Sequence, residues 1–302
     1  MVFNSLIAIG IVVFGLLPTT ARAEIQELPL YSRFYTDLKA PEKNSKEIVF
    51  IHGMYTTPLA WSQWIGVFEQ AGYKVSAPAW PLHDGSVEEQ RKPEHLKALG
   101  QLTFEQVLNH YRNILKQKTV KPILIGHSMG GLVAQILLSE GLAQGAIAIE
   151  TAPPFGVITT QEVFFRSNAE VFDFFKPATM PIQLSLDFFS EAFLNTQPAA
   201  THKEIYERYY VPESRQIGRG PLTFQAKIDF TKPRGPLLLI AGGADRVLPA
   251  ELNYKNFLAY KNTPADTEFV QTFGRDHTTI FSPGWEHVAK ITLDWIDQQF
   301  AD

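Results

Sequence analysis

Between Pro122 and Gln135 the chain reads Pro-Ile-Leu-Ile-Gly-His-Ser-Met-Gly-Gly-Leu-Val-Ala-Gln, and no other stretch narrows the possible folds as far. Residues 123–125 are a short, wholly apolar run of the kind carried by a strand buried on both faces. Helix-compatible residues begin at Met129, so Ser128 falls on the turn between strand and helix. Gly126 and Gly130 flank it; a bend this tight strains the backbone and crowds its neighbours, which residues lacking a Cβ tolerate best. The bend lifts the Ser128 hydroxyl clear of the sheet. The helix N-terminus points unpaired N–H groups and a partial positive charge at the same spot. Gly-x-Ser-x-Gly alone is common by chance, but with a strand before it and a helix after it Ser128 is a candidate nucleophile.

The rest of the chain alternates in period. Residues 31–35 can form an edge strand, and Glu47 to Ile51 a buried one running into His52-Gly53-Met54. Thr57 as N-cap and Pro58 at the first helical position predict a helix over Leu59 to Ala71, stopped by Gly72. A strand over Tyr73 to Ala77 and a loop of turn formers from Pro78 to Gly85 follow. Thr103 and Gln106 make a capping box opening a helix to about Lys118. After the Ile123 strand come a helix from Met129 to Glu140, closed by Gly141, and a strand at Ala146 to Ile149. From 151 to about 232 the alternation breaks into aromatic-rich segments split by Pro177, Pro181, Pro198 and Pro212. It resumes with a strand at Leu237 to Ile240, a helix at Ala250 to Tyr260, a strand at Thr267 to Thr272 and a closing helix at Trp285 to Phe300. The expected fold class is therefore α/β: a mainly parallel central sheet with helices on both faces and a helical insertion. The insertion should lie over the carboxyl ends of the strands, where such sheets place ligands, and either packs as its own small core, lines an apolar subsite, or does both.

With the strand-Ser-helix elbow and His52-Gly53-Met54 in place, the chain resembles the α/β-hydrolase family over nearly all of residues 46–300. That resemblance implies a triad in the order serine, acid, histidine, each on a loop after a strand. A serine hydroxyl needs such a base, and the base needs a group to orient it. Asp245 follows the Leu237 strand after Gly242 and Gly243, and is the expected acid; Glu150, at the end of another strand, is the alternative. His277, between the last strand and last helix, is the expected base. The backbone amides of Met54 and Met129 are the expected oxyanion hole. The short His-Gly-Met loop differs from the longer His-Gly-Gly-Gly loop of some esterases. Of the neighbouring charges, Arg275 and Asp276 read as exposed loop charges rather than modulators of the base. His83 and Asp84 read as a plain turn, with an approach to the site as the alternative, His52 as a support for its loop, and His127 as pointing away.

Composition removes other classes. With no cysteine there are no disulfides, thiolate metal sites or cysteine nucleophile, and neither a metal nor any other cofactor is implied. A formal charge of −4 gives no support for nucleic-acid binding. Residues 6–17 are nearly all apolar, too short to span a bilayer comfortably, and precede Ala21-Arg22-Ala23, a small-x-small pattern. Despite the lack of Lys or Arg in residues 1–5, this reads as a secretory signal peptide over 1–23. The expected organisation is then 24–150 as the first part of the core, 151–232 as the helical cap insertion and 233–302 as the second part. The chain is expected to be secreted or periplasmic without a stable membrane span, an N-terminal membrane anchor being the alternative. The expected chemistry is serine hydrolysis of a small-molecule carboxylic ester with an apolar acyl or aromatic part. Lactone, carbon-carbon or peptide hydrolysis, acyl transfer, cofactor-free peroxidation and non-catalytic capture of an apolar ligand remain open.

Overall fold

Side-chain alternation along the strands decides how the layers stack. In β2 (Glu47–Ile51), Ile48 and Phe50 pack on one side and Val49 and Ile51 on the other, all fully buried. The computed structural model describes residues 28–34 and 46–300; the signal peptide expected over 1–23 lies outside them, as does the expected strand residue Tyr35. The other strands are β1 (Tyr31–Phe34), β3 (Lys74–Ser76), β4 (Ile123–His127), β5 (Gly145–Ile149), β6 (Leu237–Gly242) and β7 (Thr267–Thr272). They form one sheet in the order β1-β7-β6-β5-β4-β2-β3, with β1 antiparallel to β7 and every other pair parallel. β1 is the expected edge strand.

The helices among the described residues are α1 (Ser62–Gln70), α2 (Val87–Gln90), α3 (Pro93–Leu99), α4 (Phe104–Lys116), α5 (Met129–Ser139), α6 (Glu162–Ser167), α7 (Ala169–Phe172), α8 (Leu186–Phe193), α9 (Ala199–Tyr209), α10 (Arg215–Gly218), α11 (Ala250–Ala259) and α12 (Trp285–Phe300). On one face Trp61, Trp64 and Phe68 around α1, with Val288 and Ile296 of α12, pack on Ile48, Ile125, Ile147 and Ile240. On the other, α4, α5 and α11 cover Val49, Leu124, Ala148 and Leu239. The expected helix from Leu59 begins with a 3-10 turn over Pro58–Trp61, with Thr57 Oγ1 accepting from Leu59 N at 3.2 Å, before α1 proper. α2 and α3 occupy a stretch read as no element at all, although Ser86 and Glu89 form a capping box there.

The chain steps from β2 outward to β3, then returns inside to β4 and builds β5, β6 and β7 the other way. The order therefore reverses between β2 and β4, and the crevice beyond their carboxyl ends is where an open α/β sheet binds ligands. Over it lies the chain between β5 and β6, carrying α6 to α10. Its buried residues Ile182, Phe189, Phe193, Tyr210 and Ile217 belong to the same apolar cluster as Val49, Leu124 and Leu239, so the insertion has no separate core. Polar ties fasten it as well. Arg91, beyond α2, donates to the Tyr206 and Tyr210 carbonyls at 2.7 and 2.8 Å, and Val211 N donates to Tyr55 O at 3.0 Å.

Candidate active site

Ser128 sits between β4 and α5 with φ 57°, a left-handed conformation that a non-glycine residue adopts at a cost of about 1–3 kcal/mol. The close approach of helix and strand explains its glycine neighbours. A Cβ on Gly126 would lie 2.1 Å from Gly130 O, and one on Gly130 would lie 2.2 Å from Ile51 O. Ser128 N donates to Ile149 O at 2.9 Å, while Ser128 O accepts from Gly131 N and Ala152 N at 3.0 Å, so the elbow is tied to the β5 end. Of the four positive-φ non-glycine residues among those described, Tyr55, Ser128 and Glu150 border this place and Leu82 does not. Strain concentrated in this way marks a functional region.

The elbow brings the expected triad together. His277 Nε2 lies 2.9 Å from Ser128 Oγ, and His277 Nδ1 lies 2.7 Å from Asp245 Oδ2. The pattern assigns the tautomer: Nδ1–H donates to the carboxylate, leaving Nε2 to accept from the serine hydroxyl. Asp245 Oδ1 accepts from Val247 N and Leu248 N at 2.8 and 2.9 Å, which holds the carboxylate in position. All three side chains are buried. Gly53 packs directly on the nucleophile, since a Cβ there would lie 2.7 Å from Ser128 Cβ, and Met54 and Met129 both border the cavity in front of Ser128.

Glu150, the alternative acid, is also present but farther off. Its Oε2 is 3.8 Å from His277 Nδ1 and 3.4 Å from His127 Nε2, with no exposure to solvent. Its Oε1 has no hydrogen-bond partner among the described residues and fills the space that Gly242 leaves open, where a Cβ would come within 2.2 Å of it. Burial, and then the nearby Asp245 and Asp276 carboxylates, push the Glu150 carboxyl well above the usual range, which favours its neutral form.

The surrounding histidines are structural. His52 Nδ1 lies 2.9 Å from Gly53 O, its Nε2 accepts from Trp80 N at 3.2 Å, and its ring stacks on Trp80, supporting its loop as expected. His127 turns away from the Ser128 hydroxyl, but its Nε2 reaches the His277 carbonyl at 3.0 Å and so props the base's own loop. Burial, with a neighbouring histidine adding to it, lowers both well below the usual histidine range. His127, Glu150 and His277 are also the described residues whose donor atoms cluster closely enough to hold a metal, but both nitrogens of His277 are already engaged by Asp245 and Ser128.

Two expectations need correction. Arg275 and Asp276 are not exposed loop charges. Asp276 is fully buried; its Oδ2 accepts from Thr196 Oγ1 and Gln197 Nε2 at 2.7 and 3.1 Å, and its Oδ1 from Thr278 Oγ1 at 2.7 Å, fastening the His277 loop to the insertion. Arg275 braces the same loop through Thr279 Oγ1 at 2.9 Å. Nor is His83 part of a plain turn: the turn exists, with His83 N donating to Trp80 O, but the ring is buried and pairs with Glu213 Oε2 at 3.1 Å. Glu213 went unread because its partner lies 130 positions away in sequence.

In front of Ser128 opens a cavity of about 380 Å³, walled by Met54, Met129 and Val247 from the core and by Phe155, Phe164, Phe172, Phe193 and Leu222 from the insertion, with no charged side chain in its lining. The insertion's Glu162, Glu170 and Glu191 are all absent from it; Glu170 instead pairs with Lys176 and Arg215, and Glu191 with Arg166.

A family model described as the alpha/beta hydrolase family matches residues 48–286. No curated relative matches the chain by sequence. Among solved structures, polyneuridine aldehyde esterase is 18% identical at a TM-score of 0.60, covering 84% of this chain and 100% of its own. A monoacylglycerol lipase from Paleococcus ferrophilus is 18% identical at 0.59, covering 89% of this chain and 98% of its own. A pyrethroid hydrolase from Sphingobium faniae JZ-2 is 19% identical at 0.57, covering 83% of this chain and 97% of its own. At such identities the likeness is one of fold.

Proposed function

The chain belongs to the α/β-hydrolase family, and from that premise we propose that it is a serine hydrolase cleaving carboxylic esters with an apolar acyl or aromatic part. Ser128 Oγ attacks the ester carbonyl as His277 Nε2 takes its proton, and Asp245 stabilises the resulting imidazolium. The tetrahedral oxyanion is received by the amides of Met54 and Met129, a pair of donors each worth about 3 kcal/mol in the transition state. Collapse expels the alcohol, protonated by His277, and water activated by the same imidazole then releases the acid from Ser128.

The observation that carries this reading is the unbroken chain Asp245–His277–Ser128, at 2.7 and 2.9 Å, opening onto a cavity without a charged wall. The lining favours a neutral ester over a peptide, since a peptidase binding a free amine needs a carboxylate at the cavity and none is there. The esterase, lipase and hydrolase among the structural neighbours agree with the reading. An alkyl fluorophosphonate should label the wild type and leave Ser128→Ala untouched, with the variant retaining its melting temperature and losing ester turnover. Full activity in Ser128→Ala, or folded wild type that takes no label and turns over no ester, refutes the assignment and points to a receptor for apolar ligands.

A further inference from the structure

Two cavities flank the triad, and they are very unequal. The large one, about 380 Å³, has Ser128 and Met129 in its wall but not His277. A second, of about 10 Å³, has His277 in its wall but not Ser128; Tyr209, Thr278 and Phe281 line it, and it opens to solvent on one side as the large one does. Phe193 borders both. Its ring meets the His277 imidazole at a steep angle, 5.4 Å between centroids, and stacks on Phe189 at 4.7 Å, so it stands as a supported wall between the two spaces. Tyr209 and Phe281 are stacked at 4.3 Å, which stiffens the far wall of the small cavity.

The chemistry allots one half of an ester to each space. The proton that His277 takes from Ser128 must be returned to the departing alkoxide oxygen, so that oxygen and its substituent lie on the imidazole side. The acyl group becomes bonded to Ser128 Oγ and extends from the serine into the other space. We propose that the two cavities divide the substrate accordingly, making the enzyme selective for esters that join a large apolar acid to a very small alcohol, methyl foremost. This rests on the ester-hydrolase reading above. In the step concerned the Ser128 Oγ–acyl bond forms and the acyl–alkoxy bond breaks; the alkoxide leaves as methanol with the proton from His277, and water later releases the carboxylic acid. A space of about 10 Å³ holds little more than one water-sized group. Each further methylene on the alcohol either crowds Phe193 and the Tyr209–Phe281 stack or runs out of the open side with no pocket to hold it, and a misfit methylene in an apolar site costs about tenfold or more. The large cavity falls within the range of about 300–1,000 Å³ that takes sizeable apolar ligands.

Methyl, ethyl and butyl octanoate, which share one acyl group, test the proposal by their kcat/KM on the wild-type protein in a pH-stat, beside methyl acetate for the acyl side. Expected are a fall of about a hundredfold or more from methyl to butyl octanoate, a rise from methyl acetate to methyl octanoate, and a methyl-to-butyl ratio narrowed about tenfold in Phe281→Ala. A kcat/KM that is flat or rising with alcohol size in the wild type overturns it. The fluorophosphonate separates the two levels, because its leaving group is fluoride and fits the small side in any case. Labelling of Ser128 without discrimination among the alcohols overturns only the size assignment. Folded protein that neither labels nor turns over any of these esters overturns the hydrolase reading and this inference together.

Discussion

At the scale of single residues, one imidazole has two carboxyl groups within reach, and their environments separate their roles. Asp245 accepts two backbone N–H bonds besides that from His277, whereas Glu150 is fully buried and its Oε1 has no hydrogen-bond partner among the described residues. Asp245→Asn keeps an oxygen for Val247 and Leu248 but offers His277 an amide and with it the wrong tautomer. It should retain the fold and lose about 10⁴ in kcat, the scale such a change has in serine proteases, read by steady-state kinetics. Glu150→Gln should behave oppositely. The carboxyl of Glu150 is raised in the folded protein, so its contribution is intact below the unfolded value of about 4.3 and is lost as pH climbs through the folded value. The neutral amide removes that loss. Thermal melts from pH 5 to 9 should show the variant gaining on wild type as pH rises, and a difference that shrinks over that range would contradict the assignment of Glu150 as a neutral acid.

At the scale of elements, Gly126 lets β4 and α5 come as close as they do, and Gly130 does the same for α5 and β2. A Cβ on Gly126 would strike Gly130 O, which is backbone and cannot swing aside. Gly126→Ala should therefore destabilise by about 3 kcal/mol or more, read from urea melts, whereas Gly66→Ala, where a Cβ meets nothing within 4 Å, should not. Helix ends carry smaller, local effects. Thr103 Oγ1 accepts from Gln106 N at 3.2 Å at the start of α4, so Thr103→Ala should cost about 1 kcal/mol and Thr103→Ser little. The capping box Ser86 and Glu89 has the same pattern and starts α2, yet it went unread because α2 spans four residues, too short to show an apolar period.

At the scale of the whole molecule, the insertion is held to the sheet by an apolar seam and a few buried polar ties, and the tie between His83 and Glu213 links the loop after β3 to the chain before α10. Burial opposes the charge on His83, but Glu213 outweighs it and raises the imidazole above its ordinary value. A raised histidine contributes stability that is complete below the unfolded value of about 6.5 and is lost as pH rises through the folded value. Glu213→Ala leaves a buried cation without its partner and should cost about 3–5 kcal/mol. The loss should be largest near pH 5.5 and smaller at pH 9, as followed by differential scanning calorimetry; an equal loss at both would show that the pair is not charged.

What the sequence determined by itself was whatever rests on neighbours along the chain. The apolar runs of β4, β5 and β6, the match of β7 and α12 to their expected bounds, the elbow at Ser128 and the capping box at Thr103 are all local. Their causes, strand pleat, helical period and steric room at glycine, act within about ten residues. The acid and base were legible for a related reason: a parallel sheet places every strand end on one edge, so position after a strand predicts convergence. Tertiary structure alone decided which carboxyl stands 2.7 Å from His277 and which 3.8 Å, that Asp276 is buried under Thr196, and that His83 meets Glu213. It also decided that the insertion shares the core's apolar cluster and leaves unequal spaces on either side of the triad. Those are contacts between segments 80 to 130 positions apart or set by ångström differences in packing, and neither distance nor volume is written in a local pattern.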